Sequence, residues 1–138
     1  MNDEEIVKSI FESNSEFSKH FILNVLNLKK GKFFYLGLRE DSTGKDLESI
    51  ISEIDGVFEQ IDKYGFKNVV LSFKEVTFFA DLGMATIKGY ANWITDNGGK
   101  FIILEPKPEI EKFLKFVALD IVGTIYNSEQ EFLDVMNK

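Results

Sequence analysis

Residues 68–99, reading NVVLSFKEVTFFADLGMATIKGYANWITDNGG, constrain the fold more than any other stretch. The run Val69-Val70-Leu71-Ser72-Phe73 is too short for a helix, and its β-branched and apolar side chains suit a strand covered on both faces. Such a strand belongs in the middle of a sheet. After a polar step at Lys74-Glu75, the run Val76-Thr77-Phe78-Phe79 leads into Ala80-Asp81-Leu82-Gly83. Asp81 is a good helix N-cap and Gly99 a good C-terminal stop, so the spacing predicts a helix over about 82–97.

On a wheel of about 100° per residue this helix carries two apolar stripes. Met84, Ile87, Ala91 and Ile94, flanked by Gly83 and Tyr90, make the face that should lie on the sheet. Leu82, Thr86, Gly89 and Trp93 recur at the same three-to-four spacing and point nearly the opposite way, where a helix covering a sheet meets water. Something should cover them. A partner protein is one reading, because small residues flanked by Leu and Trp make a shallow landing site. The other is that the chain's own N-terminal segment packs there.

The remaining segments alternate strand and helix. Residues 3–12 place Ile6, Val7, Ile10 and Phe11 at helical spacing behind three acids, and Ser13-Asn14-Ser15 ends the pattern. Residues from Phe21 to Leu28 and from Phe33 to Leu38, joined across Lys29-Lys30-Gly31-Lys32, predict a β-hairpin. Residues 46–64 keep a single apolar stripe, stopped by Gly65, and predict a helix. Lys100 to Leu104 reads as a further buried strand, Pro108 as a helix start, Ile125-Tyr126 as a brief strand, and Ser128 as the cap of a last helix. This alternation predicts an α/β fold with later strands parallel and helices packed on the sheet.

The order of strand, polar step, hydrophobics, a tetrapeptide ending in Gly, an amphipathic helix, Gly-Gly and another strand resembles the STAS domain of anti-sigma factor antagonists. The resemblance implies a mixed four- to five-stranded sheet with about four helices, plus a short N-terminal helix. It implies a STAS domain over 20–138 behind an extension at 1–19. In that family the tetrapeptide is typically Asp-Ser-Ser-Gly, and its second Ser is phosphorylated by a kinase that doubles as the anti-sigma factor. Here Ala80 takes the Asp place, Asp81 the first Ser, Leu82 the phosphorylated Ser and Gly83 the Gly. The acceptor hydroxyl is missing, which makes Leu82 a degenerate phosphosite. Thr77 precedes the helix and Thr86 lies a full turn inside it, so neither replaces it. Asp81 reads as a cap before it reads as a phosphate mimic, since a carboxylate carries about one charge and a phosphoserine nearly two. Gly37-Leu38-Arg39-Glu40 falls where the family has a corner that contributes to partner contact.

The resemblance and the double stripe together imply a non-catalytic regulator of transcription whose 81–94 helix docks a protein partner, such as an anti-sigma factor or kinase. The residues concerned are Asp81, Leu82, Ala85, Thr86, Gly89 and Trp93, with Arg39 and Glu40 from the corner. The alternative is a scaffold, or a subunit of a transport complex, whose outer helix face is covered by residues 1–19 or by a second copy of the chain.

Composition narrows the rest. With 23 acidic against 16 basic residues the net charge is −7, which argues against nucleic acid and against an anionic membrane surface. No stretch approaches the length of a bilayer span, and the N-terminus lacks a basic leader. The absence of cysteine removes disulfides, thiolate metal ligands and Cys nucleophiles and suits a reducing, cytoplasmic setting. His20 is the single histidine and has no triad spacing around it, so it reads as a surface or edge residue. No catalytic pair, metal site or cofactor motif is expected. Thr43-Gly44-Lys45 lacks the upstream Gly and following hydroxyl of a phosphate loop, and a receiver domain would need Asp where the central strand ends in Ser72-Phe73.

Overall fold

The structure is a computed structural model describing residues 1–40, 47–77, 81–119 and 123–138, without the side chains of 47–50 and 81. In chain order the elements are α1 (Asp3–Ser13), α2 (Phe17–His20), β1 (Phe21–Leu28), β2 (Gly31–Leu38), α3 (Leu47–Lys63), β3 (Asn68–Ser72), α4 (Asp81–Asp96), β4 (Phe101–Leu104), α5 (Pro108–Phe116), β5 (Thr124–Tyr126) and α6 (Glu129–Met136). The five strands form one sheet in sequence order. β1 and β2 are an antiparallel hairpin, and every later neighbour is parallel. Thr43-Gly44-Lys45, Phe78, Phe79 and Ala80 lie outside the described residues.

Because β2, β3, β4 and β5 follow one another across the sheet, right-handed crossovers must put α3, α4 and α5 on the same face. Side-chain alternation along the strands then divides the core. Phe34, Leu36, Val69, Leu71, Phe101 and Ile103 point to those helices and meet Ile54, Val57, Ile61, Met84, Ile87, Ala91, Ile94, Ile110 and Leu114. Phe33, Val70, Ile102 and Leu104 point to the other face, where Phe132 and Met136 of α6 cover them. Phe132 packs edge-on against both Phe33 and Tyr126. Ser128 caps α6, its hydroxyl accepting from Glu131 N at 3.1 Å.

Two details at the ends of α4 differ from the sequence reading. The helix is stopped by Gly98 rather than by Gly99: Gly98 takes φ +81°, and the Gly99 amide donates back to Ile94 O at 2.9 Å. Gly99 has a different role, since a Cβ there would lie 1.9 Å from Lys67 O, so only glycine lets the chain pass into β4. The helix begins at Asp81 itself, whose side chain, and with it the capping bond, lies outside the described residues.

The N-terminal segment is the larger correction. It does not cover the outer stripe of α4. Helix α1 packs on β1 instead, with Ile10 fully buried in the main core and Asp3 accepting hydrogen bonds from Asn27 (2.8 Å) and Lys32 (2.9 Å) of the hairpin. Those two bonds, the Asn27 one first, hold the Asp3 carboxyl below its ordinary value. A one-turn helix, α2, follows where the polar run suggested only a break, and it seats Phe17 against Phe21 and under Gly56 of α3. Burial of the Phe17 ring, worth about 1.5–3 kcal/mol, anchors the segment on β1 and α3.

Candidate functional site

Helix α4 follows the central strand β3 and runs back across the sheet. Met84, Ile87, Ala91 and Ile94 are at most 2% exposed. On the opposite side Leu82 is 56% and Trp93 39% exposed, Ala85 and Gly89 are open to solvent, and Thr86 is half-buried. The Thr86 hydroxyl donates to Leu82 O at 3.0 Å, so it is turned back on its own helix. No described residue of this chain closes over that face.

The structure separates the sequence-selected residues into two groups. Arg39 and Glu40 follow the end of β2, and the parallel pairing of β2 with β3 puts them on the same strand-end rim as Asp81 and Leu82. Arg39 is half-buried, its amide donating to His20 O at 3.0 Å, and Glu40 is exposed. Gly89 and Trp93 lie further along α4. At 1.5 Å per residue, Trp93 stands about 16 Å from Leu82 along the axis. The rim and the tryptophan are therefore two ends of one extended face.

Around Trp93 the sequence reading missed the contribution of α3. Phe58 and Tyr90 stack face to face, centroids 4.1 Å apart and planes within 5°. The Tyr90 hydroxyl donates to the Asp55 carboxylate. Partial burial, then that bond, pushes the Tyr90 phenol well above its ordinary value and keeps it protonated. Phe58, Glu59, Asp62, Gly89, Tyr90 and Trp93 line a shallow depression of about 360 Å³. A second, of about 330 Å³, opens on the other side of Trp93 toward Lys67 and Asn97. Glu59 and Asp62 sit on the exposed side of a helix whose apolar stripe was the only feature read from sequence, and nothing local signals that this side borders α4.

His20 also differs from the expected surface or edge residue. Its side chain is 18% exposed, and Nδ1 lies 2.5 Å from Oε2 of Glu53, itself 7% exposed. Donor atoms of Glu16, His20 and Glu53 lie within 4.8 Å of one another, the only kind of grouping among the described residues that could hold a divalent cation. Lys19 already stands 3.1 Å from the Glu16 carboxylate. The arrangement is best understood as a polar tie between α2 and α3.

The family model for the STAS domain matches residues 5–132. A search of curated proteins gives no match. Among solved structures, a candidate anti-sigma factor antagonist of Thermotoga maritima superposes with TM-score 0.69 at 18% identity, over 84% of this chain and 93% of that one. The anti-sigma factor antagonist SpoIIAA in its unphosphorylated form gives TM-score 0.63 at 19% identity, covering 83% and 94%. The phosphorylated form of the Bacillus cell-fate determinant SpoIIAA gives 0.61 at 18%, covering 83% and 97%. Sheet order, crossovers, the position of α4 after the central strand and the match along the chain lead to one conclusion: this chain belongs to the STAS domain family.

Proposed function

We propose that the chain is a non-catalytic protein-interaction regulator of the anti-sigma factor antagonist type, which docks its partner through the outer face of α4. The observation that carries this reading is the exposure of Leu82 and Trp93 on a helix whose opposite face is fully used by the core. A large aromatic and a leucine left open along one helix face lose apolar burial unless a second molecule supplies it. An anti-sigma factor or kinase is the partner class, because the solved structures that share the fold include anti-sigma factor antagonists.

The same reading removes the usual switch. Leu82 stands at the position of the family's phosphorylated serine, and a hydrocarbon side chain accepts no phosphoryl group. Docking is then governed by abundance or by competition between partners.

The test is a binding assay between the full chain and purified anti-sigma factor candidates from the same genome. Trp93→Glu is expected to weaken the complex by about a hundredfold or more, as for a central aromatic anchor. Unchanged affinity would remove α4 as the interface. In parallel, incubation with the candidate kinase and ATP, read by intact-mass spectrometry, should leave the mass unaltered. A phosphate mapped to the start of α4 would overturn the unswitched reading.

A further inference from the structure

The depression between α3 and α4 has a chemistry more specific than an apolar landing site. It is lined by Tyr90, which stacks on the buried Phe58, by the partly exposed Trp93, and by Glu59 and Asp62 of α3. No lysine or arginine lines it, and among the described residues neither carboxylate makes an ion pair. Asp55, one turn before Glu59, adds negative charge while accepting from the Tyr90 hydroxyl. Aromatic faces set against carboxylates attract a flat, delocalised cation, which stacks on the rings and bonds the acids at its edge.

Gly89 supplies an independent observation. It lies inside α4, where glycine weakens a helix, yet a Cβ at this position would meet no atom within 4 Å. Among the described residues nothing packs against this position, so the missing side chain leaves the helix backbone open at the depression.

Building on the docking reading above, we infer that this depression seats an arginine side chain of the partner protein, its guanidinium against Trp93 and Tyr90 and hydrogen-bonded by Glu59 and Asp62. A second copy of this chain is a poor occupant, since each copy carries a net charge of −7 and would bring the same acids to the contact. The neighbouring depression shares Asp62 but also contains Lys67, whereas the only charged residues lining the Glu59 side of Trp93 are acids.

The probe is the peptide acetyl-Ala-Arg-Ala-amide, titrated into the ¹⁵N-labelled full chain, beside the same peptide with citrulline, which keeps the shape and loses the charge. The arginine peptide is expected to move the Gly89 amide and the indole N–H of Trp93, the only tryptophan, in a saturable way. Citrulline should bind at least about tenfold more weakly, and Glu59→Gln with Asp62→Asn should cost the arginine peptide a similar factor. Equal binding of both peptides, shifts unaffected by the double variant, or sedimentation showing that a dimer occupies this face would each overturn the inference. The double variant also separates it from the docking proposal. If Trp93→Glu abolishes partner binding while the double variant binds as wild type, the face stands and the arginine seat falls. If both variants bind as wild type, the docking reading falls too.

Discussion

The two faces of α4 share one backbone and nearly the same apolar content, yet they do opposite things. The inner set, Met84, Ile87, Ala91 and Ile94, is buried against β3 and β4 and contributes stability. The outer set, Leu82, Ala85, Thr86, Gly89 and Trp93, leaves apolar surface in water and contributes little to the isolated chain. The inner face thus carries stability while the outer one is left to solvent, so a substitution on the outer face should leave the fold intact.

The largest effect is expected on the inner face. Ile87→Ala should destabilise the fold by about 2–5 kcal/mol, read by urea denaturation, because it opens a cavity in a site with no exposure. A loss below 1 kcal/mol would mean that α4 is not anchored as described. The two glycines of this region sharpen the contrast. Gly99→Ala drives a methyl group into Lys67 O and should cost about 1–3 kcal/mol by forcing the backbone apart. Gly89→Ala should instead stabilise the fold by about 0.5–1 kcal/mol, since the added methyl meets nothing and favours the helix, while weakening partner binding. If Gly89→Ala were destabilising, the outer face would be packed after all.

Smaller still is Leu82→Ser, an exposed change expected to alter stability by no more than about 0.5 kcal/mol. Its informative readout is chemical. On the proposed match of Leu82 to the family's phosphorylated serine it supplies the missing hydroxyl, so phosphate transfer from a partner kinase should appear by mass spectrometry in the variant and not in the wild type. Transfer in neither protein would leave the missing hydroxyl without consequence.

The last contrast is with pH. The Tyr90 phenol has a raised folded value, so the stability it contributes is fully present below its ordinary value of 10.0 and is lost as pH rises through the folded one. Tyr90→Phe should therefore flatten part of the alkaline fall in denaturation midpoint. Identical alkaline slopes for the two proteins would remove the Tyr90 bond to Asp55 from the account.

Much of the architecture was legible because it is locally coded. The hairpin follows from alternation around Gly31, α3 from one stripe ended by Gly65, and α6 from the Ser128 cap, each within a span of a few residues. What escaped was coded at a distance. The tie between His20 and Glu53 joins residues 33 apart in sequence, with no periodicity to announce it. The one-turn α2 is too short to carry a repeat, and it is held by the burial of Phe17 rather than by propensity.

The amino-acid sequence alone determined that α4 would be apolar on two sides, since spacing along a helix is a local property. Where the N-terminal helix came to rest, and the meeting of Glu59 and Asp62 with Trp93, were decided only by the tertiary structure. The reason is physical: a periodic pattern specifies a face but not its neighbour, and the neighbour is chosen by the crossovers that lay α3 beside α4 on one side of a parallel sheet.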